Sequence, residues 1–81
     1  MRVMTLEIPA EAIEVAQSAI VGEFRLEDVR GALARSLYDL DFDFGIQSKI
    51  GLLDRAADRI LQNAKKLKQA KHLGAGRWKV L

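Results

Sequence analysis

The sequence predicts a small α+β domain of three helices closed by a C-terminal β-hairpin. Three observations point there. Apolar residues recur at three- and four-residue steps over 10–20, 29–37 and 46–67, the spacing that gathers them on one face of a helix. Two short runs, 70–73 and 77–81, flank a three-residue loop of Gly74, Ala75 and Gly76, which reads as a hairpin. With 81 residues, no internal repeat and no Pro-, Gly- or Ser-rich linker, the chain has room for a single domain over 1–81 with one core.

Taken in order, Met4, Leu6 and Ile8 alternate with Thr5 and Glu7, a pattern that fits a strand or an ordered arm over 1–8. Pro9 suits the first turn of a helix. Ala10, Ile13, Ala16, Gln17 and Ile20 follow at helical spacing, with Glu11 and Glu14 early, where the helix dipole favours carboxylates, and Gly22 as the stop. Phe24 and Leu26 bracket Arg25 in a very short strand, and Glu27 and Asp28 open a second helix whose buried face is Val29, Ala32, Leu33 and Leu37.

From Tyr38 to Phe44, apolar and acidic residues alternate strictly, which by period is a one-sided strand or an extended loop pinned by its aromatics. After Gly45, the residues Ile46, Ile50, Leu53, Ala57, Ile60, Leu61, Ala64 and Leu67 describe an amphipathic helix. Gly51 is its one plausible break, which would start the main segment near Leu53 or Asp54, with Asp54 as a cap. At about 100° per residue the outward face carries Arg55, Arg59, Gln62, Lys66 and Gln69, with Asn63 and Lys65 on the flanks. In the hairpin, Leu73, Trp78 and Val80 are expected to pack on the helices.

Charge changes sign along the chain. Residues 1–44 hold four basic and nine acidic side chains, a balance of −5; residues 45–81 hold nine basic and two acidic, a balance of +7. The formal total of +2 conceals this. A concentrated basic half is the electrostatic footprint of a polyanion-binding surface, because each Lys or Arg meeting a phosphate releases condensed counterions. A solvated surface is the plainer reading of Lys65, Lys66 and Lys68. The scarcity of acidic partners at i,i+4 argues against it.

Other chemistry is poorly supported. There is no cysteine, hence no disulfide framework or thiolate metal site, and no apolar run approaches the roughly 20 residues of a membrane span. A soluble, cytoplasmic protein is expected. Asp39, Asp41 and Asp43 are spaced like the start of a calcium loop, but Gly45 comes one position late and the twelfth position is Ile50. His72 has no nearby partner in sequence, Ser18, Ser36 and Ser48 lack a nucleophile context, and Gly74–Gly76 does not open a helix as a phosphate loop does. No enzyme activity, cofactor, metal or small-molecule substrate is expected.

The order helix, short strand, helix, helix, hairpin resembles a winged helix-turn-helix DNA-binding domain of small bacterial or phage type. The resemblance covers roughly 24–81. It is carried by Phe24, Asp28 and Val29, by the run Ala57, Asp58, Arg59, Ile60, Leu61, Gln62, and by Gly74, Gly76 and Trp78. It implies a recognition helix at about 54–68, a wing at about 70–81, double-stranded DNA as partner, and a role in transcription regulation or as an accessory factor. Arg55, Arg59, Gln62 and Asn63 have side chains suited to base edges, while Lys65, Lys66, Lys71, Arg77 and Lys79 would hold phosphates. Three features depart from the family: Arg25 stands where a Ser or Thr cap is usual, residues 36–52 exceed the usual tight turn, and the wing is short. A different reading makes 46–67 a single amphipathic helix that pairs with a protein partner. Homodimerisation is open in either case.

Overall fold

A computed structural model describes residues 1–81. The elements are β1 (Arg2–Val3), β2 (Leu6–Glu7), α1 (Ala10–Gln17), β3 (Glu23–Arg25), α2 (Leu26–Asp39), α3 (Lys49–Lys66), β4 (Ala70–Gly74) and β5 (Arg77–Val80). This is an α+β fold in which a small hairpin precedes the first helix. β1 and β2 pair antiparallel, and a second antiparallel sheet has the order β3-β5-β4. The three helices form one layer, and the inner face of the second sheet closes it.

The expected apolar faces are the ones that pack. Val29, Leu33 and Leu37 of α2 are fully buried, as are Leu52 and Leu61 of α3 and Ile8 before α1. Each such side chain contributes about 1.5–3 kcal/mol by leaving water. Ala12 and Ala16 of α1 and Ala56, Ala57 and Ala64 of α3 are buried too, and their small size lets the helices approach closely. Trp78 is 4 % exposed and stacks on Phe24, with ring centroids 6.5 Å apart. The two face each other in the β3–β5 register, so the pair joins neighbouring strands while both rings pack into the common core.

Helix ends explain most departures from the sequence reading. At the start of α2, Arg25 occupies the cap position, and its backbone N–H donates to the Asp28 carboxylate at 2.8 Å. Asp28 thus supplies half of a capping box without a Ser or Thr at its head. At its end, Asp41 takes a left-handed backbone (φ +52°), its N–H donates to the Tyr38 carbonyl, and the Phe42 N–H donates to the Leu37 carbonyl. This is a Schellman closure, and it breaks the Tyr38–Phe44 alternation where a strand was one expectation. With no neighbouring strand to pair with, residues 40–48 form a loop pinned by Phe42 and Phe44, which pack edge to face at 5.0 Å against the core.

Gly51 does not break α3. The helix starts at Lys49, and the Ser48 hydroxyl caps it by accepting the Gly51 N–H at 3.2 Å. Asp54 therefore lies inside the helix rather than at its cap. At the other end Lys68 is left-handed (φ +58°), and the Gln69 N–H donates to the Ala64 carbonyl, a second Schellman closure. Gln69 consequently leaves the helical face on which the sequence put it.

The two hairpins differ from expectation in detail. β4 and β5 pair from Ala70↔Val80 to Gly74↔Arg77, with an irregularity between His72 and Gly74. His72 lies against Trp78, with ring centroids 4.8 Å apart. Leu73, one residue on, points to the other face and is 40 % exposed rather than packed. The β1–β2 turn is Met4 and Thr5, at φ +51° and +72°. A two-residue hairpin needs that backbone, yet neither residue favours it; burial of Val3 and Ile8 holds it in place.

Two stability predictions result. Trp78→Ala should cost about 3–5 kcal/mol in urea unfolding, as expected for loss of a buried aromatic; a loss below about 1 kcal/mol would show that the sheet is anchored elsewhere. Met4→Asn combined with Thr5→Gly should raise stability by about 1 kcal/mol by relieving the left-handed strain.

Candidate nucleic-acid interface

Burial of one side of α3 dictates what the other side shows. Leu52, Leu53, Ala56, Ala57, Ile60, Leu61 and Ala64 are all buried. At about 100° per residue, Arg55, Arg59, Gln62 and Lys66 then share an outward arc of roughly 60°, and all four are exposed. Asn63 is exposed beyond Arg59 on one flank, and Lys65 on the other flank beside Asp58. Asp58, the exposed acidic residue of α3, thus borders the stripe. Lys65 and Lys66 in the last turn also complement the helix dipole.

Shallow clefts run along this stripe. One of 450 Å³ is lined by Met1, Gln17, Arg59, Ile60, Gln62, Asn63 and Lys66. It brings the amides of α1 and α3 together with two cations. The Arg59 guanidinium donates to the Arg2 backbone carbonyl across 57 residues of sequence, so the N-terminal hairpin borders the stripe.

Lys71, Arg77 and Lys79 lie elsewhere. Alternation along β5 turns Trp78 inward, leaving Arg77 and Lys79 on the outer face of the sheet. Lys71 of β4 is directly in register with Lys79, and Arg25 of β3 with Arg77. Like charges opposite one another on a sheet are destabilising. Glu23 lies 3.8 Å from Arg77 and Glu27 lies 3.7 Å from Arg25, whereas Lys71 and Lys79 form no ion pair. The predicted site residues thus form two groups, a helical stripe and a sheet face. Arg25 joins the second group without having been singled out by the sequence, since its registry with Arg77 exists only after folding.

Several carboxylates elsewhere in the chain are already occupied. Asp54 accepts from Arg30 of α2 at 2.5 Å, and this bond and charge hold the Arg30 guanidinium above its ordinary pKa. Asp43 accepts the Gly45 N–H at 2.8 Å and shapes the loop after α2. Asp39, Asp41 and Asp43 do not gather into a group that could hold a metal ion. No helix is long and apolar enough to cross a membrane. The apolar side of α3 is consumed within the chain, but Ile46 and Ile50 remain 100 % and 71 % exposed.

No family model, curated protein or solved structure matches the chain. The Lys71–Lys79 register makes one direct prediction. Lys71→Glu should raise stability by about 0.2–1 kcal/mol in thermal or urea unfolding by turning a like-charge pair into an opposite-charge pair, and a loss of stability would show that the two ammonium groups do not interact.

Proposed function

We propose that this is a small, non-enzymatic protein of winged-helix type that binds double-stranded DNA, with α3 as the recognition helix and the β4–β5 hairpin as the wing. The observation that carries the proposal is the exposed stripe of Arg55, Arg59, Gln62 and Lys66, which makes no ion pair and stands opposite the buried residues from Leu52 to Ala64. Topology supports it as well. From α1 onward the order α1, β3, α2, α3, β4, β5, with the short strand β3 paired to the last strand of the hairpin, agrees with the order that the sequence resemblance implies, while β1 and β2 precede it as an addition.

In this reading the chemistry divides along the two groups. Arg55 and Arg59 carry the fork that guanine accepts, and Gln62 and Asn63 the amides that pair with adenine. Lys65 and Lys66 on α3, and Lys71, Arg77 and Lys79 on the sheet, hold backbone phosphates, which gives affinity and register with little sequence choice. The role is that of a bacterial or phage regulator or accessory factor acting in the cytoplasm. A protein partner or a second copy is the alternative, and the exposed Ile46 and Ile50 are what favour it.

A fluorescence titration against random duplex DNA tests the proposal. Micromolar binding is expected at low salt, falling on raising salt with a slope equivalent to about four to six phosphate contacts. Arg59→Glu combined with Lys66→Glu should abolish binding while circular dichroism and the unfolding midpoint stay near wild type. Unchanged affinity in that double variant would refute the assignment of α3.

A further inference from the structure

The β1–β2 hairpin borders the α3 stripe without belonging to either group of predicted contacts. Its strand β1 supplies the carbonyl of Arg2 that accepts a hydrogen bond from the Arg59 guanidinium. Between the two elements lies an open cleft of 320 Å³ lined by Arg2, Val3 and Met4 of the hairpin and by Arg55, Asp58 and Arg59 of α3. Three arginines thus line one opening together with Asp58, and Glu7 stands in register with Arg2 across the hairpin.

None of Arg2, Arg55 and Arg59 forms an ion pair. The Arg2 side chain is exposed and donates only to the nearby Thr5 carbonyl, at 3.3 Å. A guanidinium carries five N–H donors in a planar fork that matches phosphate oxygens. One N–H of Arg59 on the Arg2 carbonyl therefore leaves four for a ligand, and it fixes the plane in which they point. Mutual repulsion of three cations is relieved when an anion enters between them.

We infer that the N-terminal hairpin is part of the nucleic-acid interface, and that Arg2, Arg55 and Arg59 together clasp one backbone phosphate of duplex DNA beside α3. This rests on the DNA-binding reading above and refines it. Arg55 and Arg59, given to guanine edges above, thereby both become phosphate contacts rather than readers of bases, with Arg59 tethered at the side of the helix. Sequence choice is left to Gln62 and Asn63. The hairpin's strained turn has a use here: it sets β1 so that its carbonyl meets Arg59.

Arg2→Ala separates the possibilities, because the Arg59 acceptor is backbone and survives the change. Salt-dependent titrations of wild type and Arg2→Ala against two duplexes of unrelated sequence provide the measurement. The expected result is a slope shallower by about 0.9 and a loss of roughly five- to tenfold near 0.1 M salt, equal on both duplexes. Arg59→Ala should behave likewise, and Arg2→Lys should restore the slope. If wild type binds and Arg59→Glu with Lys66→Glu abolishes binding, yet Arg2→Ala matches wild type, the hairpin lies outside the interface and only this inference falls. If wild type binds no duplex, both readings fall. Titration of inorganic phosphate is the remaining arm, and tight binding of it without duplex binding would make the cleft a free-anion site and overturn the assignment.

Discussion

The charged stripe of this protein is arranged by the burial of α3. Its seven buried residues, from Leu52 to Ala64, cover about half the circumference of the helix and meet α1, α2 and the sheet. A helix locked on one side has no freedom to choose what it displays on the other. The rotation that puts Leu52 and Leu61 in the core also sets Arg55, Arg59, Gln62 and Lys66 in line outside. The three alanines on the buried side keep the packing close enough for that rotation to be unique.

Electrostatics then acts on what packing has left outside. The ion pairs between side chains join Arg30 to Asp54, Arg25 to Glu27 and Arg77 to Glu23, all at partly or fully exposed positions, where such pairs add little stability. They matter more for what they omit. The cations of the α3 stripe and the facing pair Lys71 and Lys79 form no ion pair, although Glu23 stands in register with Lys79 on its other side. A fold that leaves like charges in register tolerates a local repulsion, and a polyanion is the ligand class that would remove it.

The N-terminal hairpin changes the character of the α3 surface. A bare helix would present its side chains on a convex cylinder. With β1 on one side and Gln17 of α1 close by, the same residues line shallow clefts. Concavity brings charges from different elements to one point, and that is how Arg2 comes to stand beside Arg55 and Arg59.

By itself the sequence determined the three helices, the short strand at Phe24, the closing hairpin, and the outward membership of Arg55, Arg59, Gln62 and Lys66. All of these follow from a periodicity of 3.6 or 2 residues, which local spacing records directly. Tertiary structure decided the rest. Asp41 and Lys68 end their helices in left-handed conformations that glycine or asparagine would have announced, and Met4 with Thr5 makes a turn that neither residue signals. The Tyr38–Phe44 alternation had the period of a strand but no partner strand to satisfy its backbone, so a helix end and a loop took its place. Arg2 beside Arg59, Arg25 opposite Arg77 and Lys71 opposite Lys79 are neighbours only through register and packing. No local pattern encodes such distances, because they exist only once the core has fixed how the elements sit against one another.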